Sequence, residues 1–284
     1  MLIDPQTVGD QPPLEVRRQR SPHFWEALGE LWAHRRLVFA LTRRDFFARY
    51  KQTVLGLGWA VVIPFLTVVV FSVFVQRFAE VDTHGVPYPV WSFVGLLPWT
   101  FFSNALSTGG LALLSNRPLL NKIYAPRAIY PISSVLLAGI DILIACSALA
   151  VVFVIYTFLP SRMVWMVPLI ALVHVMFIVA IVLIVSIIVV YARDLRNALP
   201  VILQLGLFAT PVVYPLSRIP TDYRLLYCAL NPLGPIIDAY RRTILDGRYP
   251  DWPTFGVGAA STAVLFVAAF SVFARFERGI VDTI

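Results

Sequence analysis

Four basic side chains crowd together just ahead of the first long apolar run: Arg43, Arg44, Arg49 and Lys51. A guanidinium presents paired N–H donors that match two oxygens of a phosphate, so such a cluster fits a phosphate-bearing headgroup. It equally fits plain anchoring at an anionic membrane surface, the commoner use of any one such residue. Two more ionisable residues, Asp141 and His174, fall inside apolar runs. At about 1.5 Å per helical residue, each lies roughly 14–15 Å from the start of its run, reckoned from opposite faces of the membrane, near the midplane of a bilayer. Adjacent antiparallel helices would bring the two together, and a structural hydrogen bond between them is expected. Aromatic and small polar side chains gather at Trp99, Phe101, Phe102, Ser103 and Asn104, with Tyr214 further along.

Other chemistry is missing from the pattern. No Gly-Lys-Ser/Thr phosphate loop occurs, and Gly56-Leu57-Gly58 is a lone fragment better read as helix packing. The chain is therefore expected to bind no nucleotide or other cofactor of its own. Cys146 and Cys228 have no Cys or His at metal-ligand spacing, and their placement makes a disulfide between them unexpected. Asp222, Asp238, Asp246 and Asp251 are scattered, whereas a metal-dependent or acid–base enzyme needs them convergent.

The elements that position these residues follow from composition. Of 284 residues, 58% are hydrophobic and 14% charged, against about 25% charged in a soluble domain. Six apolar stretches run over 57–78, 90–115, 132–159, 164–191, 198–214 and 254–274. A helix crossing the ~30 Å hydrocarbon core needs roughly 20 residues, a length that all but the fifth reach. The expected fold is an all-α membrane protein with six transmembrane helices. Residues 1–22 are expected to be a disordered cytoplasmic tail, 23–50 an interface helix, and 51–284 the six-helix domain. The polar, basic start is unlike a cleavable signal. With a cytoplasmic N-terminus, 16 of the 23 Lys and Arg lie inside and seven outside, the bias that the positive-inside rule requires. Five of those seven, Arg218, Arg224, Arg241, Arg242 and Arg248, crowd the last outer loop and strain the count.

Three segments are not plain spans. Over 23–47, Trp25, Leu28, Trp32, Phe39 and Phe46 share one helical face, which predicts an amphipathic helix lying in the membrane interface. The short fifth stretch is followed by a proline-punctuated loop with two helical pieces, near 223–229 and 236–245. They predict a re-entrant hairpin at the outer face, since irregular backbone survives at membrane depth only inside protein or along a wet cavity. Residues 116–131 are short, basic and fenced by Pro118, Pro126 and Pro131. Leu119–Tyr124 there predicts a short cytoplasmic helix with apolar side chains for a protein partner. Arg193-Asp194-Leu195-Arg196 is expected to lock the turn after the fourth stretch.

Four patches give the chain a family likeness. They are Arg49-Tyr50-Lys51-Gln52-Thr53-Val54-Leu55-Gly56 with Trp59 and Pro64; Leu97-Pro98-Trp99-Thr100-Phe101-Phe102-Ser103-Asn104; Asn121-Lys122 with Pro126; and Ala192–Arg196 followed by Thr210-Pro211-Val212-Val213-Tyr214 and Asn231-Pro232. In this order and spacing, residues 40–280 resemble the permease subunit of ABC exporters of polysaccharide, Wzm-like and related to teichoic acid and capsule exporters. The resemblance implies a homodimer bound to two separate ABC ATPase subunits, which hold ATP and Mg. It implies export of a polyprenyl-diphosphate-linked glycan across the bacterial plasma membrane, with both termini cytoplasmic and no nucleic-acid partner. Leu119, Leu120, Asn121, Lys122, Ile123, Tyr124 and Arg127 match its coupling segment to the ATPase. Arg43, Arg44, Arg49 and Lys51 would receive the diphosphate. Trp99, Phe101, Phe102, Ser103, Asn104 and Tyr214 would line the channel, and Tyr223, Leu226, Ile236 and Tyr240 would form the outer gate. The glycan itself stays open among O-antigen-like polysaccharide, galactan and teichoic acid, with an Arg-rich, high-GC composition tilting toward galactan. A permease for a drug or another lipid, a lipid-linked glycosyltransferase and a proton-coupled carrier are the alternatives. The scattered acids argue against the transferase, and the absence of repeated halves against the carrier.

Overall fold

The computed structural model describes residues 24–51, 58–78, 83, 85–120 and 125–277. Among these residues the regular structure is all helical. In chain order the helices are α1 (Phe24–Ala33), α2 (Arg35–Tyr50), α3 (Gly58–Phe78), α4 (Tyr88–Gly109), α5 (Ala112–Ser115), α6 (Arg117–Leu120), α7 (Ile129–Ile155), α8 (Val167–Tyr191), α9 (Leu195–Ala209), α10 (Thr221–Leu230), α11 (Leu233–Arg241) and α12 (Trp252–Phe276). Each of the six apolar stretches carries one of the longer helices. Among the described residues, three segments are long and apolar enough to cross a membrane: Ile129–Ile155, Arg162–Tyr191 and Trp252–Phe276. The tail expected to be disordered, 1–22, lies outside the described residues, as do 121–124.

In lipid, helices gain little by hiding apolar surface from one another, so close packing depends on small residues. A β-carbon at Gly109 of α4 would come 2.5 Å from the Val182 side chain of α8, and one at Gly258 of α12 would come 2.7 Å from Pro235 of α11. Glycine thus sets how near these helices approach. α4 packs on α3, α7, α8 and α11, and α8 packs along α12. Phe93, Ile170, Ile236 and Ile237 fill the centre where α4, α8 and α11 meet.

The N-terminal helix departs from expectation. It breaks at His34 into two helices. The aromatic face is exposed at Trp25, Trp32 and Phe39, while Phe24 packs edge-on against Phe266 and Phe270 of α12. α2 buries Val38, Leu41 and Thr42 instead. Thr42 Oγ1 donates to the Ser133 carbonyl at 3.2 Å, and Arg49 reaches Asp141. Seven residues on α2 keep step with eight on α7. At about 1.5 Å per residue, α2 therefore runs beside α7 in the same direction for roughly 10–12 Å.

Candidate functional site

A cavity of about 350 Å³, mostly apolar in its lining but edged by polar side chains, opens between α2, α3, α4 and α7. One wall is a stripe on α4: Thr100, Asn104, Ser107 and Thr108, at helical spacings of four, three and one. Thr100 and Thr108 donate their hydroxyls to the carbonyls of Leu96 and Asn104, each at 2.8 Å. Phe101 and Trp59 supply aromatic walls, and Arg49, Tyr50 and Asp141 close the end nearest α2. Arg49 donates through Nη1 to Asp141 Oδ2 in an ion pair. Tyr50 donates its hydroxyl to Asp141 Oδ1 at 2.8 Å. Burial and the Asp141 carboxylate push the Tyr50 phenol up to about 12, so it keeps its proton and stays a donor at neutral pH.

The expected Asp141–His174 bond does not form. Asp141 is taken by Arg49 and Tyr50, and His174 lies among rings. Phe101 meets it edge-on at 5.3 Å and Tyr240 at 6.0 Å, and His174 Nε2 is buried without a hydrogen-bond partner. Depth counting placed both residues in the middle of their helices correctly, but it says nothing about the rotation of one helix against another.

The basic cluster is divided. Only Arg49 of the four lines the cavity. Arg44 bonds to Asp45 and to Asn116 Oδ1, each at 2.7 Å. Arg43 lies over the Phe47 ring at 5.7 Å, and Lys51 is exposed. The aromatic patch divides too. Phe101 and Asn104 face the cavity, but Trp99 packs on Phe102 and against Gly206 of α9, and Phe102 stacks on Phe177. Ser103 bonds back to the Thr100 carbonyl. Tyr214 donates to the Phe208 and Ala209 carbonyls at the end of α9, far along the chain from the cavity wall.

The proposed gate residues also separate. Tyr223 and Leu226 are on the exposed side of α10, while Ile236 and Tyr240 are buried in α11. α11 packs against α4, α8 and α12 and buries nearly all its residues. Of the coupling residues, Leu120 is buried, Leu119 is half-buried and packs beside it, and the Arg127 amide donates to the Glu277 carboxylate after α12. Asn121, Lys122, Ile123 and Tyr124 lie outside the described residues. Backbone bonds from Leu195 to Ala192 and from Arg196 to Arg193 close the turn before α9; the charged side chains expected to lock it form no ion pair among the described residues.

Sequence reasoning missed Arg241. Counted as a loop charge, it is 4% exposed at the end of α11. It donates to the Pro211 carbonyl at 3.0 Å, to the Tyr214 carbonyl at 3.4 Å and to that of Val212. Its guanidinium also lies flat over the Trp91 ring, 3.4 Å from the centroid. The turn after α9 has carbonyls with no helical partner, and a cation there satisfies both them and the negative end of the helix. A signal was present: Arg241 is four residues past Ile237 and seven past Gly234, on the buried face of α11. Arg224 does a similar service nearby, donating to the Ile219 and Ser217 carbonyls, and Arg242 pairs with Asp238 at 2.7 Å. Arg224, Arg241 and Arg242, counted as outer-loop charges, are thus fixed within the protein.

Helices long and apolar enough to cross a membrane, packed around a side cavity, define a multi-pass membrane protein. Residues 36–245 match the family described as ABC-2 type transporter, and the chain belongs to that family. It is 34% identical over 246 residues to the O-antigen export system permease protein RfbA of Myxococcus xanthus, covering 86% of this chain and 94% of that relative. It is 26% identical over 242 residues to the permease of the same name from Klebsiella pneumoniae, covering 85% and 92% respectively.

Proposed function

We propose that this chain is the permease subunit of an ATP-driven exporter that moves a polyprenyl-diphosphate-linked polysaccharide out of the cytoplasm across the plasma membrane. The observation that carries the reading is similarity along nearly the whole length to permeases named for O-antigen export. The cavity supports it. A guanidinium for the diphosphate, an amide and hydroxyl-bearing stripe for sugar, and Trp59 and Phe101 for sugar C–H faces all border one space. Arg49 receives the headgroup; Phe101 and Asn104 border the first sugars. The working unit is a homodimer with two ATPase subunits, six crossings per protomer and both termini in the cytoplasm. Residues 119–127 dock on the ATPase, and α10 with α11 forms a hairpin that enters the outer leaflet.

ATPase turnover of the permease–ATPase complex in lipid, with and without polyprenyl-diphosphate glycan, tests this. Stimulation by the glycan is the expected result. A stable complex that the glycan leaves unstimulated would hand the site to another lipid cargo, and failure to bind any ATPase would return the enzyme and carrier readings.

A further inference from the structure

The Arg49–Asp141 pair does two things at once. It ties the end of α2 to the middle of α7, and it occupies the guanidinium that lines the cavity. The Asp141 side chain is 9% exposed and that of Arg49 34%, so the carboxylate is sheltered while part of the cation faces the open space. Tyr50, the next residue on the same end of α2, gives the carboxylate a second bond. A carboxylate and a pair of phosphate oxygens offer a guanidinium the same forked acceptor, but a diphosphate brings more charge.

We infer that Asp141 is a resident competitor for the substrate's diphosphate and that exchanging one anion for the other loosens α2 from α7. This rests on the headgroup reading above. In the resting protomer Asp141 holds the end of α2 through both Arg49 and Tyr50. An arriving diphosphate takes Arg49, and the Tyr50 hydroxyl alone is left to hold that end of α2 to Asp141, one neutral bond in place of an ion pair and a bond. The bond from Thr42 to the Ser133 carbonyl lies further back and is untouched, so α2 pivots about it and does not detach. Arg44, between the two, carries the movement to Asn116, the residue that opens the turn leading into α6. Asp141 is a positioning residue here: it acts through Arg49.

The test uses the permease–ATPase complex in lipid nanodiscs and a short polyprenyl-diphosphate sugar as probe. Asp141→Asn keeps the shape and removes the charge. It is expected to lower the half-maximal probe concentration about tenfold, because the competing state is no longer populated, and to raise turnover without probe toward the stimulated rate. Arg49→Gln is expected to raise the half-maximal concentration by about tenfold or more. If Asp141→Asn binds the probe no more tightly while Arg49→Gln still weakens it, the competitor role is overturned and the headgroup site stands. If Arg49→Gln binds as well as the unaltered protein, the headgroup reading goes and this inference with it. A second measurement leaves the pair intact. Spin labels at the exposed positions Ala48 and Leu143, with Cys146 and Cys228 replaced by serine, are expected to change their separation when the probe is added. An unchanged distance with bound probe overturns the latch.

Discussion

A β-carbon added at Gly95 would fall on the guanidinium of Arg241 and lie 2.9 Å from the Val212 carbonyl. Gly95→Ala is therefore expected to push a buried cation off its partners, at a cost of about 3 kcal/mol, read as a lower unfolding temperature of the purified permease. Gly139→Ala is the internal comparison. Its β-carbon would meet only the Phe101 ring, at 3.8 Å, and better helix propensity should leave stability unchanged or raised by up to about 1 kcal/mol. Arg241→Lys keeps the charge but loses the flat fork that spans three carbonyls and the Trp91 face, and should cost about 2–4 kcal/mol in the same assay. Single residues were only partly legible in the sequence. Residue type flagged Arg49 and Asp141 as chemically expressive, and both do border the cavity. Their pairing was hidden, because which residues face each other depends on how α2 lies against α7. Arg241 was hidden for another reason: counting charges by loop assigns a side of the membrane, not a depth.

Helices were the most legible level, since a run of about 20 apolar residues in lipid has to satisfy its backbone internally. The two helical pieces after α9 were also foreseen from proline spacing. What the pattern did not carry was how the end of α9 is finished. Tyr227 donates to the Ala209 carbonyl at 2.7 Å, and Asn231 Nδ2 bonds both Tyr227 Oη and Thr210 Oγ1. With the Arg241 contacts, these bonds join α9, α10 and α11 into one unit. Tyr227→Phe should cost about 1 kcal/mol and hasten hydrogen exchange of the last-turn amides of α9, leaving α7 and α8 unaffected. Equal change across all helices would mean that the bond does not hold this unit. The N-terminal helical segment was foreseen, but its break at His34 and its contacts with α7 were not: α2 is held by Val38, Leu41, Thr42 and Arg49, on a face other than the exposed aromatic one.

At the scale of the whole molecule, α9 is loosely held by its own chain, burying only Leu199. Val201, Ile202, Leu205 and Phe208 are all exposed, and so is Gln204 among them. An amide turned toward lipid is costly, which suits a surface met by a second copy or by water. In the proposed homodimer, cysteine at Leu205, with Cys146 and Cys228 replaced, should cross-link two protomers under mild oxidation. An intact complex with no cross-linked product would remove α9 from the interface. The molecule's other long-range member is α2, bonded to Asn116 through Arg44, to Ser133 through Thr42 and to Asp141 through Arg49. In genetic terms these attachments make one linkage group out of sites far apart in sequence. A strain whose export is crippled by a change at residue 49 should yield second-site revertants, and these should cluster at 116, 133 and 141 and along α2 between 42 and 50. Revertants spread evenly over the gene would show that this helix transmits nothing between its ends.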